Sequence, residues 1–140
     1  MKVRYHVPST EKGRDAMAFA ALLFSDLSIK AVFMGHPGSS CNPFGPLGVS
    51  GDSSTYAAVS AIVLGGLAVV SFRGDMRYGR LPLIFILAGG IGNLVDRILW
   101  GCVRDFSVVS WFPAFNLADV WLTVGAVWFV FAYLSERSDG

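Results

Sequence analysis

The stretch from Gly89 to Trp128, GGIGNLVDRILWGCVRDFSVVSWFPAFNLADVWLTVGAVW, decides the fold of this chain. Most of its residues are apolar or small, as in a membrane-spanning segment, yet it includes Asp96, Asp105 and Asp119. A charged side chain at the centre of a spanning helix costs about 3 kcal/mol, so charges in such segments usually have a function. The roles of these three acids are therefore the main question that the sequence raises.

Four apolar segments are long enough to cross a bilayer as helices, because about 20 residues span the hydrocarbon core and a helix satisfies its own backbone hydrogen bonds. Asp26 and Lys30 interrupt the first segment, which favours a retained helix over a cleaved signal peptide. We predict an all-α membrane protein that forms a single integral membrane domain, residues 1–140. A short external interfacial segment, able to form a small β-structure, should separate the third and fourth transmembrane helices. The four helical segments comprise residues 16–34, 56–72, 81–100 and 117–134.

The composition supports a membrane protein and excludes one class of partner. Hydrophobic residues make up 54% of the 140 residues, whereas soluble domains contain about 45–50%. The net charge of +1 provides no basic surface field of the kind that nucleic acid binding requires. We therefore expect membrane lipids as partners and no nucleic acid.

The two cysteines, Cys41 and Cys102, lie far apart in the sequence and in no CxxC motif. A zinc site is not expected, because metal-binding cysteines usually occur in such closely spaced pairs or beside histidines. The simpler interpretation is two unpaired small residues. A disulfide between Cys41 and Cys102 is the alternative interpretation, since both cysteines can lie on the same side of the membrane.

Basic residues are distributed unevenly among the connecting segments. The N-terminal tail and the loop after the second segment carry most of them, whereas residues 35–55 carry none and residues 101–116 carry only Arg104. Cytoplasmic loops of membrane proteins have an excess of Lys and Arg. We therefore expect both termini in the cytoplasm, with residues 35–55 and 101–116 outside and the three aspartates near the outer boundary. The cytoplasmic basic residues are Lys2, Arg4, Lys12, Arg14, Arg73, Arg77 and Arg80.

The polar residues of the third segment have a structural interpretation. Gly89, Asn93 and Arg97 are spaced i, i+4, i+8 and share a helix face. Neighbouring glycines provide a small surface that lets another helix approach closely. Asn93, Asp96 and Arg97 could then form a polar network that joins helices, with Arg97 as the partner of Asp96. On this interpretation Asp96 has a structural role.

Asp105 and Asp119 also have structural interpretations when each is taken alone. Asp105 could be a solvated loop acid paired with Arg104. Asn116 suits a helix N-cap, and Asp119 three positions later would complete a capping box. Together, however, the two acids lie on different elements at the same membrane boundary. Two close carboxylates share a proton, so one can activate water while the other protonates a carbonyl oxygen, as in aspartic proteases.

Four motifs resemble those of the lipoprotein signal peptidase (signal peptidase II) family: SDLSIK, GGIGNLVDR, VRDF and FNLAD. The resemblance extends from about Asp26 to Asp119. The family consists of aspartic peptidases of the bacterial inner membrane that remove signal peptides from prolipoproteins before a diacylglyceryl-modified cysteine. It implies that Asp105 and Asp119 are catalytic, that lipid-modified prolipoprotein signal peptides are the partners, and that no cofactor or metal takes part. We expect a monomer.

The resemblance also implies a set of polar or small residues that line the site or orient the substrate. The sequence departs from the family pattern at two places. In the motif NPFGPLG, Asn42 and Gly48 fit whereas Pro46 and Leu47 fit poorly, and VRDF has Arg104 where the family usually has an apolar residue. The implied site-lining residues are Asp26, Lys30, Asn42, Gly48, Asn93, Arg97 and Asn116.

Two other functions are compatible with buried acids. A small four-helix transporter could use Asp26 or Asp96 to carry protons, but transporters place such acids near the midplane of the membrane. A catalytically inactive family member could bind or assemble other proteins, but the intact pair Asp105 and Asp119 argues against it. The sequence therefore predicts a peptidase.

The topology is testable with reporter fusions. A reporter that works only in the cytoplasm should be active when fused after Gly140, and one that works only outside should be inactive there. The reason is that the basic residues lie on the side of the two termini. A reporter inserted within residues 35–55 is the matched comparison and should be active only if it functions outside. The opposite pattern at either position would exclude the predicted orientation.

Overall fold

A computed structural model describes residues 9–45, 49–72, 80–109 and 112–138 of the chain. Predicted features that lie outside these ranges are Gly48 and the basic residues Lys2, Arg4, Arg73 and Arg77. Within the described ranges, helices alternate with short strands in the order α1 (Ser9–Phe33), β1 (Ser40–Asn42), α2 (Ser53–Phe72), α3 (Leu81–Trp100), β2 (Val103–Asp105), β3 (Ser107–Val109), β4 (Phe112–Phe115) and α4 (Leu117–Ser138).

The helices include the predicted apolar segments but differ from them at several ends. Helix α3 spans the predicted residues 81–100, and α1 begins at Ser9 rather than at residue 16. Helix α2 begins at Ser53 rather than at residue 56, and α4 continues to Ser138 rather than ending at residue 134. Hydropathy marks only the part of a helix that suits hydrocarbon, so polar residues that extend the helix beyond it are missed.

Three helical segments in the described part of the chain are long and apolar enough to cross a membrane: Glu11–Phe33, Leu81–Trp100 and Leu117–Ser135. The apolar segment of α2, Ser53–Val69, is shorter. Large apolar side chains cover much of the outer surface, and Phe24 and Ile62 are about three-quarters exposed, at 74% and 75%. Such a surface suits lipid, so the protein is a mostly helical membrane protein with a small β-structure.

Helix α3 lies at the centre, packed against α1, α2 and α4. Three of its glycines face three different helices. A Cβ at Gly89 would collide with the backbone carbonyl of Ala118 at the start of α4. A Cβ at Gly90 would meet the Leu64 side chain of α2, and one at Gly92 would lie 2.6 Å from a carboxylate oxygen of α1. These small residues let all three neighbours approach closely.

The strands form two short antiparallel sheets in the described residues. Strand β1, from the α1–α2 connection, pairs with β2 so that Ser40 lies opposite Asp105 and Asn42 opposite Val103. Strands β3 and β4 form a hairpin directly before α4. Three of the four strands therefore lie in the segment between α3 and α4 for which the sequence predicts a small β-structure. The pairing of β1 with β2 joins distant parts of the chain.

Cys41 and Cys102 form a disulfide, with their Cα atoms 5.5 Å apart. The interpretation of these residues as unpaired is therefore wrong. The register of β1 and β2 places Cys41 opposite Arg104, which brings Cys102 within reach of a disulfide. No local pattern in the sequence specifies this register, because the two cysteines are 61 residues apart.

Close packing of α3 and α4 predicts the effect of a single added methyl group. In Gly125→Ala, the new Cβ would lie 2.6 Å from the backbone carbonyl oxygen of Pro82, which cannot move without shifting α3. We expect a loss of about 1–3 kcal/mol in the free energy of unfolding, as for other overpacked sites, measured by thermal unfolding in detergent. Gly65→Ala in α2 is the control, because nothing lies within 4 Å of its Cβ position. Equal stability of the two variants would contradict the packing of α3 against α4.

Candidate active site

A cluster of buried polar and charged side chains lies where α1, α3, α4 and β2 meet. Burying an unpaired charge costs several kcal/mol, so each of these groups requires partners. The cluster includes most of the residues for which the sequence predicts a site. The buried members are Asp26, Lys30, Asn93, Asp96, Arg104, Asp105 and Asn116.

The ammonium group of Lys30 lies among three partners and is only 1% exposed. Its Nζ is 2.8 Å from Oδ2 of Asp26 and 3.1 Å from Oδ2 of Asp96. It also donates a 3.0 Å hydrogen bond to Oδ1 of Asn93. One hydrogen bond and two ion pairs thus surround this buried ammonium group. Lys30 therefore fixes α1 against α3.

Asp26 connects the same cluster to the beginning of α4. Its Oδ1 accepts a 2.8 Å hydrogen bond from the backbone N–H of Ala118. The first N–H groups of a helix have no partner within the helix and carry partial positive charge, which favours an acid at this position. Asp26 therefore positions the first turn of α4, the turn that includes Asp119.

Asp96 pairs with Arg104 and Lys30, and the predicted pairing with Arg97 is wrong. Nε and one terminal nitrogen of Arg104 donate to Oδ1 of Asp96 at 3.0 and 2.7 Å. The backbone N–H of Arg104 donates to Oδ2 at 3.0 Å. Consecutive residues of a helix point in different directions, so Asp96 and Arg97 cannot face the same partners. Asp96 therefore neutralises the charge of Arg104, the residue of VRDF at which the sequence departs from the family pattern.

Strand β2 separates Arg104 from Asp105, because successive side chains of a strand point to opposite faces. The interpretation of Asp105 as a partner of Arg104 is therefore wrong as well. Val103 and Asp105 line the cavity described below, whereas Arg104 points toward α3 and lies 5.3 Å from the ring centroid of Trp100. Arg104, on one face of β2, thus holds the strand against α3, and Asp105, on the opposite face, directs its carboxylate toward the cavity.

Asn116 contacts both Asp105 and Asp119. Its side-chain amide donates to Oδ1 of Asp105 at 2.8 Å, and its backbone N–H donates to Oδ2 of Asp119 at 3.2 Å. The backbone N–H of Asp119 donates in return to Oδ1 of Asn116 at 3.0 Å. The last two bonds form the capping box predicted at the start of α4. Asn116 is thus the shared contact of the two acids.

Two further asparagines complete the hydrogen bonds of these acids. Asn93, whose Oδ1 accepts from Lys30, donates through Nδ2 to Oδ1 of Asp119 at 2.8 Å. Asn42 donates through Nδ2 to Oδ2 of Asp105 at 3.2 Å. The two carboxylates are therefore held by amide groups from three different elements, α3, β1 and the start of α4.

The pKa of Asp105 is raised above that of a solvated aspartate. Burial is the main cause, and the negative charge of Asp119 adds to it. The hydrogen bonds from Asn116 and Asn42, and the positive charge of Lys30, lower the pKa of Asp105 and offset part of the shift. Asp105 consequently keeps its proton to a higher pH than a solvated aspartate does.

Arg97 lies beside the two acids rather than with Asp96. Its charge interacts with those of Asp119 and Asp105, and its guanidinium group is 5.9 Å from the ring centroid of Tyr56 in α2. Among the described residues, its Nε has no hydrogen-bond partner. Tyr56 in turn donates a 2.9 Å hydrogen bond to the carbonyl of Val49. Tyr56 is not among the site residues predicted from the sequence, although tyrosine is common where a helix enters the membrane interface.

A cavity of about 840 Å³ opens beside Asp105 and Asp119, between α2, α3 and α4. Asn42, Asn93 and Arg97 contribute to its polar part. Its remaining walls are mainly apolar, so the cavity can hold an apolar chain with a polar bond next to the carboxylates. The apolar lining residues include Val59, Val63, Leu64, Leu67, Val120, Leu122 and Val124.

The structure thus divides the predicted site residues into two groups. Asn42, Asn93, Arg97 and Asn116 surround Asp105 and Asp119, whereas Asp26, Lys30 and Asp96 belong to the adjoining ion-pair cluster. Gly48 lies outside the described residues. The described part of the chain has no group of three or more His, Cys, Asp or Glu side chains arranged to hold a metal ion.

Comparisons with known proteins agree on one family. The family described as Signal peptidase (SPase) II matches residues 18–135. A protein of Dehalococcoides mccartyi strain 195 named lipoprotein signal peptidase is 50% identical over 66 residues, which is 47% of this chain and 41% of that protein. One of the same name from Burkholderia ambifaria strain MC40-6 is 44% identical over 82 residues, 53% of this chain and 49% of that protein. The chain spans about half the length of the curated relatives that it matches.

Two solved structures, both described as bacterial membrane enzymes, share the fold. The first has a TM-score of 0.79 and 25% sequence identity, and covers 99% of this chain and 95% of its own. The second has a TM-score of 0.76 and 26% sequence identity, and the match covers 87% of this chain and 93% of the chain in that structure.

The ion-pair cluster predicts a large loss of stability in Asp96→Asn. The substitution leaves the buried charge of Arg104 without its counter-charge and removes one of the two acids at Lys30. Breaking a buried pair in this way costs about 3–5 kcal/mol, which unfolding in detergent would measure. Asp15→Asn is the control, because the Asp15–Arg80 pair is partly exposed and is worth about 0–1 kcal/mol. A well-folded, stable Asp96→Asn protein that lacked all activity would instead make Asp96 a functional group.

Proposed function

The chain belongs to the signal peptidase II family, and we propose that it is an aspartic endopeptidase that cleaves signal peptides from diacylglyceryl-modified prolipoproteins. The observation that carries this proposal is the joint position of Asp105 and Asp119. Both acids line one cavity and both accept hydrogen bonds from Asn116. Two carboxyl groups in one site can share a proton, which is the requirement for aspartic protease chemistry.

The raised pKa of Asp105 suggests which acid holds the shared proton. We assign Asp105 as the acid that protonates the carbonyl oxygen of the scissile bond. Asp119 takes a proton from water while the water oxygen bonds to the carbonyl carbon. When the resulting diol collapses, one of its hydroxyl groups returns a proton to Asp105, the carbon–nitrogen bond breaks, and the amine nitrogen takes up the proton that Asp119 received.

The other cavity residues fit substrate positioning. The Nε of Arg97, which is without a partner among the described residues, can donate to a backbone carbonyl of the substrate. Asn42, Asn93 and Asn116 fix the orientation of the two carboxylates. The apolar walls from α2 and α4 suit the apolar part of a signal peptide or an acyl chain.

In the membrane, we propose a single domain with four spanning helices in the bacterial inner membrane. Both termini lie in the cytoplasm, and β1 to β4 form the interfacial segments at the external face. The lack of Lys and Arg in residues 35–55 supports this orientation. The protein acts as a monomer, with membrane lipids around its exposed apolar surface.

A proton transporter is less compatible with the contacts. The two acids that would carry protons, Asp26 and Asp96, are each paired with Lys30, and Asp96 also with Arg104. Protonating either acid would leave a buried cation without a counter-charge, whereas a proton carrier must gain and lose its proton during transport.

The catalytic pair is tested by isosteric substitution. Asp105→Asn and Asp119→Asn should each lower kcat by at least about a thousandfold, and the double variant should be hardly worse, because the two groups act as a unit. The measurement is cleavage of a lipid-modified preprolipoprotein by the purified protein, with thermal unfolding to establish that each variant is folded. Chelators should have no effect. Substantial turnover by either folded single variant would exclude this mechanism.

The pH dependence is tested with Asn42→Ala. Losing the hydrogen bond to Oδ2 removes an interaction that favours ionised Asp105, so the pKa of Asp105 should rise further. Asp105 then keeps its proton to a higher pH, and the limb of the pH–rate profile that reports Asp105 should move to higher pH. Ser54→Ala is the control and should leave the profile unchanged, because Ser54 is exposed at the start of α2 and its hydroxyl bonds Asp52. A shift of the Asn42→Ala profile to lower pH would contradict the assigned role.

A further inference from the structure

The disulfide between Cys41 and Cys102 lies directly beside the proposed active site. Cys41 immediately precedes Asn42, and Asp105 is three residues after Cys102. The bond therefore joins the strand that provides the Asn42 amide to the strand that provides the Asp105 carboxylate. Their hydrogen bond of 3.2 Å connects the same two strands.

We propose that the Cys41–Cys102 disulfide is a positioning element of the active site, which holds the Asn42 amide on the Asp105 carboxylate. Full peptidase activity then requires the oxidised form of the protein. The inference rests on the proposed function, because it concerns the environment of the proposed acid Asp105.

In the part of the chain that the structure describes, β1 has few anchors besides the disulfide and its pairing with β2. It is three residues long, and its partner in the described two-stranded sheet is β2. Its residues are half-buried or exposed, and Cys41 itself is exposed. A two-stranded ribbon of this kind is marginally stable in isolation. Without the covalent bond, β1 would separate from β2 easily, and Asn42 would leave Asp105.

Strand β2, in contrast, has anchors of its own. All three of its residues are buried, and both the guanidinium group and the backbone N–H of Arg104 bind Asp96. Asp105 also keeps its hydrogen bond from Asn116. Reduction of the disulfide should therefore displace Asn42 while Asp105 stays in place. The consequence is specific: reduction should have the same effect as removal of the Asn42 side chain.

The charges that face Asp105 come from elements that the disulfide does not hold. They are Asp119 on α4, Lys30 on α1 and Arg97 on α3. Asn42 is the β1 group that binds the Asp105 carboxylate in the described residues. Its loss removes an interaction that lowers the pKa of Asp105, so the pKa should rise on reduction.

The proposed external location is consistent with this role, since disulfides persist in oxidising compartments outside the cytoplasm. Cys41 is exposed although Cys102 is buried, so a reductant can reach the bond from the Cys41 side. Dithiothreitol supplies the two electrons and two protons that convert the disulfide to two thiols, and it becomes a cyclic disulfide itself.

The test combines reduction with substitution. The folded wild-type protein in detergent is compared before and after dithiothreitol, with maleimide labelling to establish that both cysteines are free. Cys41→Ser/Cys102→Ser, Asn42→Ala and the triple variant are measured beside it, and Ser54→Ala serves as the control. We expect reduction to lower kcat/KM about tenfold, as for the loss of a hydrogen bond to a charged group, and to move the pH–rate profile upward.

The inference is tested by whether the effects of reduction and of Asn42→Ala are additive. Reduction should have no further effect on Asn42→Ala, and the triple variant should match Asn42→Ala in rate and pH profile. The inference is overturned if the wild-type protein, shown by labelling of a separate sample to be fully reduced, keeps its rate and pH profile. It is also overturned if the fold-losses in kcat/KM caused by the cysteine and Asn42 substitutions multiply in the triple variant. Loss of the cooperative unfolding transition on reduction would also overturn it, because the disulfide would then support the whole fold.

A second measurement separates this inference from the proposed function. Infrared difference spectroscopy follows the carboxyl band of Asp105, assigned with Asp105→Asn, through a pH titration of the oxidised and reduced protein. An upward shift of this titration on reduction supports the inference even if no prolipoprotein is cleaved, a result that would refute the peptidase proposal alone. An unchanged titration would overturn the inference whether or not the protein is active.

Discussion

The buried ammonium group of Lys30 sets the constraint on which the rest of the site depends. An ammonium group in a medium of low dielectric constant must have counter-charges and hydrogen-bond acceptors at close range. Lys30 finds them in Asp26 on its own helix and in Asp96 and Asn93 on α3. Sliding α1 along α3 by one turn would break the contacts of Lys30 with Asp96 and Asn93 and leave Asp26 as its partner. The ion pairs therefore fix the register of these two helices where the apolar surface between them does not.

From Lys30, contacts lead to both proposed catalytic acids. One path passes through the amide of Asn93 to the Asp119 carboxylate. The other passes through Asp96 to Arg104, the residue beside Asp105 on β2. Asp26 adds a direct bond to the first turn of α4. Three elements that are distant in sequence thus take their positions from a single buried cluster.

The charges in this region balance in two separate groups. Asp26 and Asp96 neutralise Lys30 and Arg104, whose partners they are. Asp105 and Asp119 accept hydrogen bonds mainly from neutral amides, with Arg97 nearby. The two acids at the cavity are therefore not required as counter-ions in the cluster. In the proposed mechanism, a proton shared by Asp105 and Asp119 could therefore move without breaking the ion pairs of Lys30 and Arg104.

Local patterns in the sequence determine the helices and several contacts of the site. Long apolar segments specify helices in a membrane because backbone groups must be satisfied internally. The Asp26–Lys30 pair at i, i+4 and the capping box of Asn116 and Asp119 at i, i+3 follow from helix geometry alone. Spacing of this kind is visible in the sequence, because both partners belong to the same turn of one helix.

The partners of Asp96, the disulfide and the position of Asn42 were decided by the tertiary structure. Asp96 has Arg97 as its neighbour in sequence, but it pairs with Arg104, which returns to α3 on β2. Asn42 reaches Asp105 across 63 residues, and Cys41 reaches Cys102 across 61. These contacts depend on how β1 is paired with β2, and strand register between distant segments is set by packing and side-chain partners rather than by local sequence. Motifs in the sequence therefore single out Asp105 and Asp119 as the proposed catalytic acids, and the fold determined which side chains hold them in place.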